Sequence, residues 1–170
     1  MTAPSETECP GCGLVLPTTD GPIDPYGNSS PACWAVFGEI MAREFSGPEF
    51  FACHRLTVDA YMVQHQVQTT RASRQSLWVH LAGLYLLLER RADPGYVGKT
   101  LARLTTPKRD FAGLKPPAGR LRLTVVHLRD AAEPDVHARR AREWAAAVWN
   151  HWGEHHDAIE SMVQDCEHAS

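Results

Sequence analysis

The sequence Cys9-Pro-Gly-Cys-Gly near the start of the chain restricts the local fold more than any other feature. Two cysteines separated by two residues can bind one metal ion when the backbone between them folds back. The N–H groups of such a turn then face the thiolates, and Gly13 suits the turn because glycine accepts a positive φ. The motif is typical of a zinc knuckle, so Cys9 and Cys12 are predicted to bind Zn²⁺.

The segment from residue 9 to residue 31 is rich in proline and glycine and shows little sign of regular structure. A loop of this length in a compact domain needs something to hold it, and a metal ion would do so. The chain has five cysteines, so complete disulfide pairing is excluded. In a reducing compartment a Cys-x-x-Cys pair indicates a metal or redox site. A thioredoxin-like redox pair is the alternative, but the βαβ setting that it requires is not apparent.

A structural zinc site has four ligands, and the knuckle supplies only two of them. The other candidates are Cys33, Cys53, His54, His65 and His80. We expect Cys33 and His54 to complete the site, Cys33 because it lies near a helix N-terminus, where the helix dipole favours a thiolate. Free cysteines are also often small buried hydrophobic residues. Both interpretations stay open for Cys33, and burial is favoured for Cys53.

The composition describes an ordinary soluble domain. The chain has 170 residues, of which 44% are hydrophobic and 22% charged, and a net charge of −3. This charge gives no electrostatic reason to expect nucleic acid or an anionic membrane as a partner. Neither a secretion signal nor an apolar stretch long enough to span a bilayer is visible, so a cytoplasmic location is expected. We predict a flexible tail at 1–8, one domain at 9–165 and a second tail at 166–170.

The apolar periodicity predicts a mainly α-helical bundle with a zinc-clamped N-terminal loop. Helices are expected at about 31–45, 48–62, 74–90, 94–104 and 134–164. The helix at 74–90 is apolar on nearly all sides, which is typical of the central helix of a bundle. Alternating apolar residues at 121–127 favour one short β element there, although a lone strand needs a partner.

The second notable segment runs from His54 to His65. At about 100° per residue the eleven steps between them bring both histidines to one helix face, together with Tyr61. They lie about 16 Å apart along that helix, so they cannot share one ion. Asp59, on the same helix, could orient a histidine, or it could be an ordinary residue facing solvent.

Two further histidines lie on apolar helices. His80 is the strongly polar residue of the predicted central helix, and His155 lies beside the apolar stripe of the last helix. A cluster of His65, His80 and His155 between facing helices would form an inward pocket with the chemistry of a metal site. Alternatively, each is a core histidine with a hydrogen-bond partner. The remaining histidines considered are expected at the surface: His127, His137, His156 and His168.

Several of these segments together resemble an uncharacterised bacterial family of unknown function. The resemblance runs from Cys9 to about Ile159 and is carried by Cys-Pro-Gly-Cys-Gly, Ser-Pro-Ala-Cys-Trp, Val-Asp-Ala-Tyr-Met-Val-Gln-His and the helix around His80. It implies no known activity. It does imply that six residues outside the knuckle occupy motif positions, whereas Cys53 does not: Cys33, His54, Asp59, His65, His80 and His155.

We therefore predict a zinc-binding helical domain in which the zinc is mainly structural and the domain acts as a binding or regulatory module. A protein or small-molecule partner is compatible with the sequence, and a membrane is not expected. The alternative is a metal-dependent enzyme that uses the inward histidine pocket and a metal-activated water. A nucleic-acid-binding protein is a weaker alternative, because no basic fold motif accompanies the net negative charge.

Overall fold

Helices make up most of the structure, a computed structural model that describes residues 5–106 and 109–169. A two-stranded antiparallel sheet precedes them, and the fold is mainly α, as predicted. Within the described residues the elements are β1 (Glu6–Glu8), β2 (Val15–Pro17), α1 (Pro31–Glu44), α2 (Pro48–Phe51), α3 (His54–Gln64), α4 (Arg71–Leu88), α5 (Pro94–Leu104), α6 (Pro134–His151) and α7 (His156–His168), with 3₁₀ turns at Val125–Leu128 and Gly153–His155.

The helix starts follow from local sequence. Prolines occupy the first turn of four helices, where a fixed φ and a missing N–H cost nothing: Pro31, Pro48, Pro94 and Pro134. The Ser30 side chain accepts a hydrogen bond from the Cys33 N–H and so caps α1. Thr70 caps α4 in a capping box with Ser73. Helix α4 therefore begins at Arg71, three residues before the start predicted from the sequence.

Helix α4 is the centre of the bundle, as its apolar sequence predicted. It packs against α3, α5, α6 and α7, and α3 also packs against α6. Leu81, Leu84 and Leu86 of α4 are completely buried, and so is Trp144 of α6. No helix of the described residues has the length and apolar character needed to cross a bilayer. The core thus lies between α3, α4 and α6, and it fixes the position of both ends of α3.

Two of the predicted long helices are each divided into two. The helix expected at 48–62 consists of α2 and α3, separated at Ala52 and Cys53. The helix expected at 134–164 consists of α6 and α7, separated by a 3₁₀ turn that begins at Gly153. Glycine is a poor helix former, and the break redirects the chain so that α7 packs on α4 and α5.

The β structure lies at the knuckle, and the segment 121–127 contains no strand. Its last residues instead form the 3₁₀ turn at Val125–Leu128, and the side-chain amide of Gln64 donates to the Leu123 carbonyl at 2.8 Å. A side chain thus supplies the partner that a strand would have needed. Strand β1 pairs with β2 in the register Glu6 with Pro17 and Glu8 with Val15.

The predicted tails also differ from the structure. Residues 6–8, expected in the N-terminal tail, form β1, because the knuckle turn brings β2 alongside them. Residues 1–4 of that tail lie outside the described residues. At the other end α7 continues to His168, and the burial of Cys166 holds this last turn against the domain. Ser170 also lies outside the described residues.

Candidate metal centre

The knuckle is the turn of the β1–β2 hairpin. Its backbone closes through two hydrogen bonds of 2.8 Å, from the Cys9 N–H to the Leu14 carbonyl and from the Gly13 N–H to the Cys9 carbonyl. Gly13 has a φ of +79°, a conformation that glycine adopts without strain. The turn places the side chains of Cys9 and Cys12 on the same side, where both are buried.

Gly11, at the tip of the turn, lies directly against the rest of the protein. A Cβ atom at this position would lie 2.5 Å from the Asn28 carbonyl oxygen and 2.6 Å from Cδ2 of His65. Both distances are shorter than any normal contact, so only glycine fits. This close approach brings the hairpin to the C-terminal end of α3.

Cys33 comes to the cluster from the first turn of α1. Its Sγ lies 3.8 Å from Sγ of Cys12. The N-terminus of α1 carries a partial positive charge that stabilises a thiolate at this position. The Ser30 N–H donates to Sγ of Cys9 at 3.4 Å. The start of α1 therefore contacts both sulfurs of the knuckle.

His65 comes from the end of α3, and its ring is held by a backbone hydrogen bond. Nδ1 donates to the Tyr61 carbonyl at 2.8 Å, which leaves Nε2 as the ring nitrogen that faces the sulfurs and could bind a metal. Nε2 lies 3.4 Å from Sγ of Cys33. The ring stacks on that of Tyr61, with the centroids 4.0 Å apart, and the Tyr61 hydroxyl donates to the same sulfur at 3.7 Å.

The ligand atoms of Cys9, Cys12, Cys33 and His65 all lie within 4.8 Å of one another. All four residues are at most 4% exposed. In a tetrahedral zinc site, bonds of about 2.3 Å to sulfur and about 2.0 Å to nitrogen separate two sulfurs by about 3.8 Å and a sulfur from a nitrogen by about 3.5 Å. The Cys12–Cys33 sulfur separation is 3.8 Å, and Nε2 of His65 lies 3.4 Å from the Cys33 sulfur. These two separations match a tetrahedral site, and since the others are at most 4.8 Å, the cluster could hold a metal ion.

The thiols of the cluster perturb one another strongly. Hydrogen bonds from Cys12 and Cys33 hold the pKa of the Cys9 thiol well below its usual range, although burial acts in the opposite direction. Contacts with Cys12 and Cys9 raise the pKa of Cys33, and burial raises it further. Burial lowers the pKa of His65, but hydrogen bonds with Cys12 and Cys9 outweigh burial and raise it to about 9. Negative charge thus concentrates on Cys9, whereas Cys33 retains its proton until a cation is present to stabilise its thiolate.

The structure brings together Cys9, Cys12 and Cys33 of the predicted metal set but places His54 elsewhere. His54 begins α3, and its Nδ1 donates to Oε2 of Glu44 at 2.9 Å. His65, expected in a separate histidine pocket, occupies the fourth position. The two histidines share a helix face, so periodicity could not distinguish them. The packing of α3 against α1 decides which end meets the cysteines.

A second buried cluster surrounds Glu44 at the end of α1, and sequence analysis missed it. Glu44 is completely buried, and its Oε1 accepts hydrogen bonds from Thr57 at 2.5 Å and from Nε2 of His137 at 2.9 Å. Its Oε2 accepts from His54. His137 was expected at the surface but is completely buried, and its Nδ1 has no partner within the described residues. The signal for Glu44 in the sequence was periodicity: it lies four residues after Ile40 and seven after Phe37, on the buried face of α1, whereas Glu39 lies off that face.

The predicted pocket of His65, His80 and His155 does not form. Nδ1 of His80 pairs with Oδ1 of Asp59 at 2.7 Å, and Nε2 of His155 donates to the Lys115 carbonyl at 2.8 Å. Each imidazole thus has its own partner, because α3, α4 and the turn before α7 present these side chains in different directions. Asp59 does orient a histidine, as proposed from the sequence, but that histidine is not in the metal cluster.

Comparison with known proteins is consistent with this picture and adds no activity. Searches of curated proteins and of solved structures each find no significant match. A model of the family described as "Family of unknown function (DUF5946)" matches residues 7–153. This range includes the hairpin, all four residues of the metal cluster and helices α1 to α6, so the chain belongs to this family of unknown function.

Proposed function

We propose that Cys9, Cys12, Cys33 and His65 bind one structural Zn²⁺, and that the domain which this ion holds together acts as a binding module. The observation that carries the proposal is the cluster itself, three buried cysteines and one buried histidine whose ligand atoms all lie within 4.8 Å of one another. Three thiolates and one imidazole are a common ligand set of structural zinc sites. Sulfur-rich tetrahedral sites favour zinc over magnesium or calcium, which prefer oxygen ligands.

A structural role is favoured over a catalytic one because four protein ligands complete a tetrahedron. Catalytic zinc keeps a position open for water or substrate. The four ligands come from three separate parts of the chain, namely the hairpin, the start of α1 and the end of α3. Zinc would therefore fasten the hairpin and the loop at 18–30 to the helical bundle. This is the clamp that the proline- and glycine-rich segment requires.

The cluster around Glu44 is not assigned a second zinc ion. Glu44, Cys53 and His137 have ligand atoms within 4.8 Å of one another. However, the Glu44 carboxylate already accepts hydrogen bonds from Thr57, His54 and His137 and, at 3.8 Å, from the Cys53 thiol. A carboxylate with four donors is stabilised without a metal, so we assign none to it.

Native mass spectrometry of the purified protein tests the proposal directly. One zinc per chain is expected, with release only by a strong chelator or by acid, because the ligands must be deprotonated to bind. Chelation should then increase hydrogen exchange at residues 6–30. A protein that carries no zinc, or whose stability and exchange are unchanged after zinc is removed, contradicts the structural role. Two tightly bound zinc ions per chain would contradict the assignment of a single site.

A further inference from the structure

A cavity of about 780 Å³ lies on the face of the bundle away from the metal cluster. The segment around the α2–α3 junction, the end of α4, the start of α5 and one residue of α6 line it. Leu56, Leu87 and Val97 form much of its apolar wall. Cavities of this size with mostly apolar walls and a few polar groups are typical of small-molecule sites.

The charged groups of the cavity are all cationic. Arg55, Arg91 and Arg142 line it, and no acidic residue is among the lining residues that the structure describes. Arg55 pairs through Nε with Asp59 at 2.9 Å, but its buried Nη2 has no hydrogen-bond partner. Neither Arg91 nor Arg142 forms an ion pair within the described part of the chain. The positive charges of Arg91 and Arg142 thus have no acidic partner within the described residues, whereas that of Arg55 is paired with Asp59.

The turn that ends helix α4 fixes where Arg91 lies. Arg91 has a φ of +47°, a left-handed conformation that is common just after a helix C-terminus. The Ala92 N–H donates to the Leu86 carbonyl at 2.9 Å and closes this turn. The turn therefore places Arg91 at the rim of the cavity.

His54 adds a polar group in a fixed orientation. Its Nδ1 is held by the buried Glu44, and its ring stacks on Phe51 with the centroids 4.8 Å apart and an interplanar angle of 13°. Nε2 has no hydrogen-bond partner in the part of the chain that the structure describes, and His54 lines the cavity. The ring is therefore ordered before any ligand arrives, which lowers the entropic cost of binding.

We propose that this cavity binds a small organic anion, a carboxylate attached to an apolar body. The guanidinium groups of Arg91 and Arg142 pair with the carboxylate, because a guanidinium presents two parallel N–H donors that match the two oxygens. The apolar body packs on Leu56, Leu87 and Val97. This inference names a ligand class for the proposed binding module, and it does not depend on zinc.

Isothermal titration of the intact protein with octanoate, 1-octanol and acetate tests both halves of the proposal. Octanoate carries both chemical features, octanol only the apolar body and acetate only the anion. Octanoate should bind at least tenfold more tightly than either of the others. The double variant Arg91→Gln/Arg142→Gln should lose at least tenfold in octanoate affinity and no longer prefer octanoate over octanol.

Arg139→Gln is the matched control, because Arg139 lies on α6 but pairs with Glu143 at the surface. It should bind octanoate like the unaltered protein. Every variant is also checked for thermal stability and for zinc content, so that failure of the zinc assignment is seen separately. The proposal is overturned if the unaltered protein shows no saturable octanoate binding, if octanol binds as well as octanoate, or if the double variant binds octanoate unchanged.

Discussion

Replacing Cys33 by alanine should separate the contribution of the metal to the free energy of unfolding from the contribution of ordinary core packing. The matched control is Cys166→Ala, since both cysteines are free and at most 5% exposed. Each substitution removes one buried sulfur, which costs about 1 kcal/mol in lost burial. Of these two cysteines, Cys33 alone has ligand atoms of other candidate metal-binding residues around it in the described part of the chain. The difference between the two variants therefore measures the metal contribution.

The expected size of that difference follows from known zinc sites. Loss of an outer-shell partner typically weakens metal binding 10- to 100-fold. Loss of a direct ligand should cost more than about 100-fold, which is about 2.8 kcal/mol. Cys33→Ala should thus lose about 4 kcal/mol or more of unfolding free energy in the presence of zinc, against about 1 kcal/mol for Cys166→Ala. A loss of 4 kcal/mol is a large part of the about 5–15 kcal/mol that stabilises a typical domain.

Urea unfolding measures the free energy of unfolding, and competition with a chromophoric chelator measures the zinc affinity. Hydrogen exchange shows which residues lose protection. Exchange should increase at residues 6–30, which the metal fastens, while the core of α4 and α6 is affected less. The reasoning is refuted if Cys33→Ala retains one tightly bound zinc, or if the two variants lose the same unfolding free energy.

Three further comparisons test other parts of the structure. Gly11→Ala should weaken zinc binding, because its Cβ has no room, whereas Gly38→Ala within α1 meets nothing within 4 Å and should stabilise the protein by about 0.5–1 kcal/mol; equal zinc affinities would count against the close approach of the hairpin to α3. Glu44→Gln turns an amide towards buried donors and should lower the free energy of unfolding in urea by about 1–3 kcal/mol, against at most about 1 kcal/mol for the exposed Glu39→Gln. Similar losses in the two variants would mean that the buried hydrogen bonds contribute little. Burial and the neighbouring carboxylate raise the pKa of Cys53 from 9.0 to about 12. The folded protein therefore keeps a proton that the unfolded chain releases above about pH 9, so stability should fall from pH 9 towards 12, and fall less in Cys53→Ala; identical pH profiles of the urea midpoint would contradict this.

The helical fold was largely readable from the sequence because its signals are local. Proline at the first helical turn and capping side chains such as Ser30 and Asp93 set helix starts without reference to distant residues. The continuous apolar face of α4 marked it as the central helix. The breaks at Cys53 and Gly153 were not predicted, because apolar periodicity continues through both. Gly153 is a local signal for a break, but at Cys53 only packing against other helices determines where the axis bends.

The partners of buried polar residues were not readable from the sequence. Glu44 continues the apolar stripe of Phe37 and Ile40 on α1 and is completely buried, whereas Glu39 lies off the stripe and is exposed. The residues that pair with Glu44 are His54, Thr57 and His137, and they lie 10, 13 and 93 positions away, so no local pattern shows them. The cavity and its arginines likewise depend on how α3, α4, α5 and α6 meet.

The metal cluster shows which of its residues the sequence alone determined and which required the tertiary structure. The sequence alone determined Cys9 and Cys12 as a pair, because two thiols two residues apart meet through a local turn whose geometry Gly13 permits. The remaining positions of the cluster required the tertiary structure. His54 and His65 are equivalent by helical periodicity, and His65 joins the cluster because α1 and the hairpin pack against the C-terminal end of α3, about 16 Å from His54 along its axis. A contact between distant segments depends on the free energy of the whole packing, which no local pattern records.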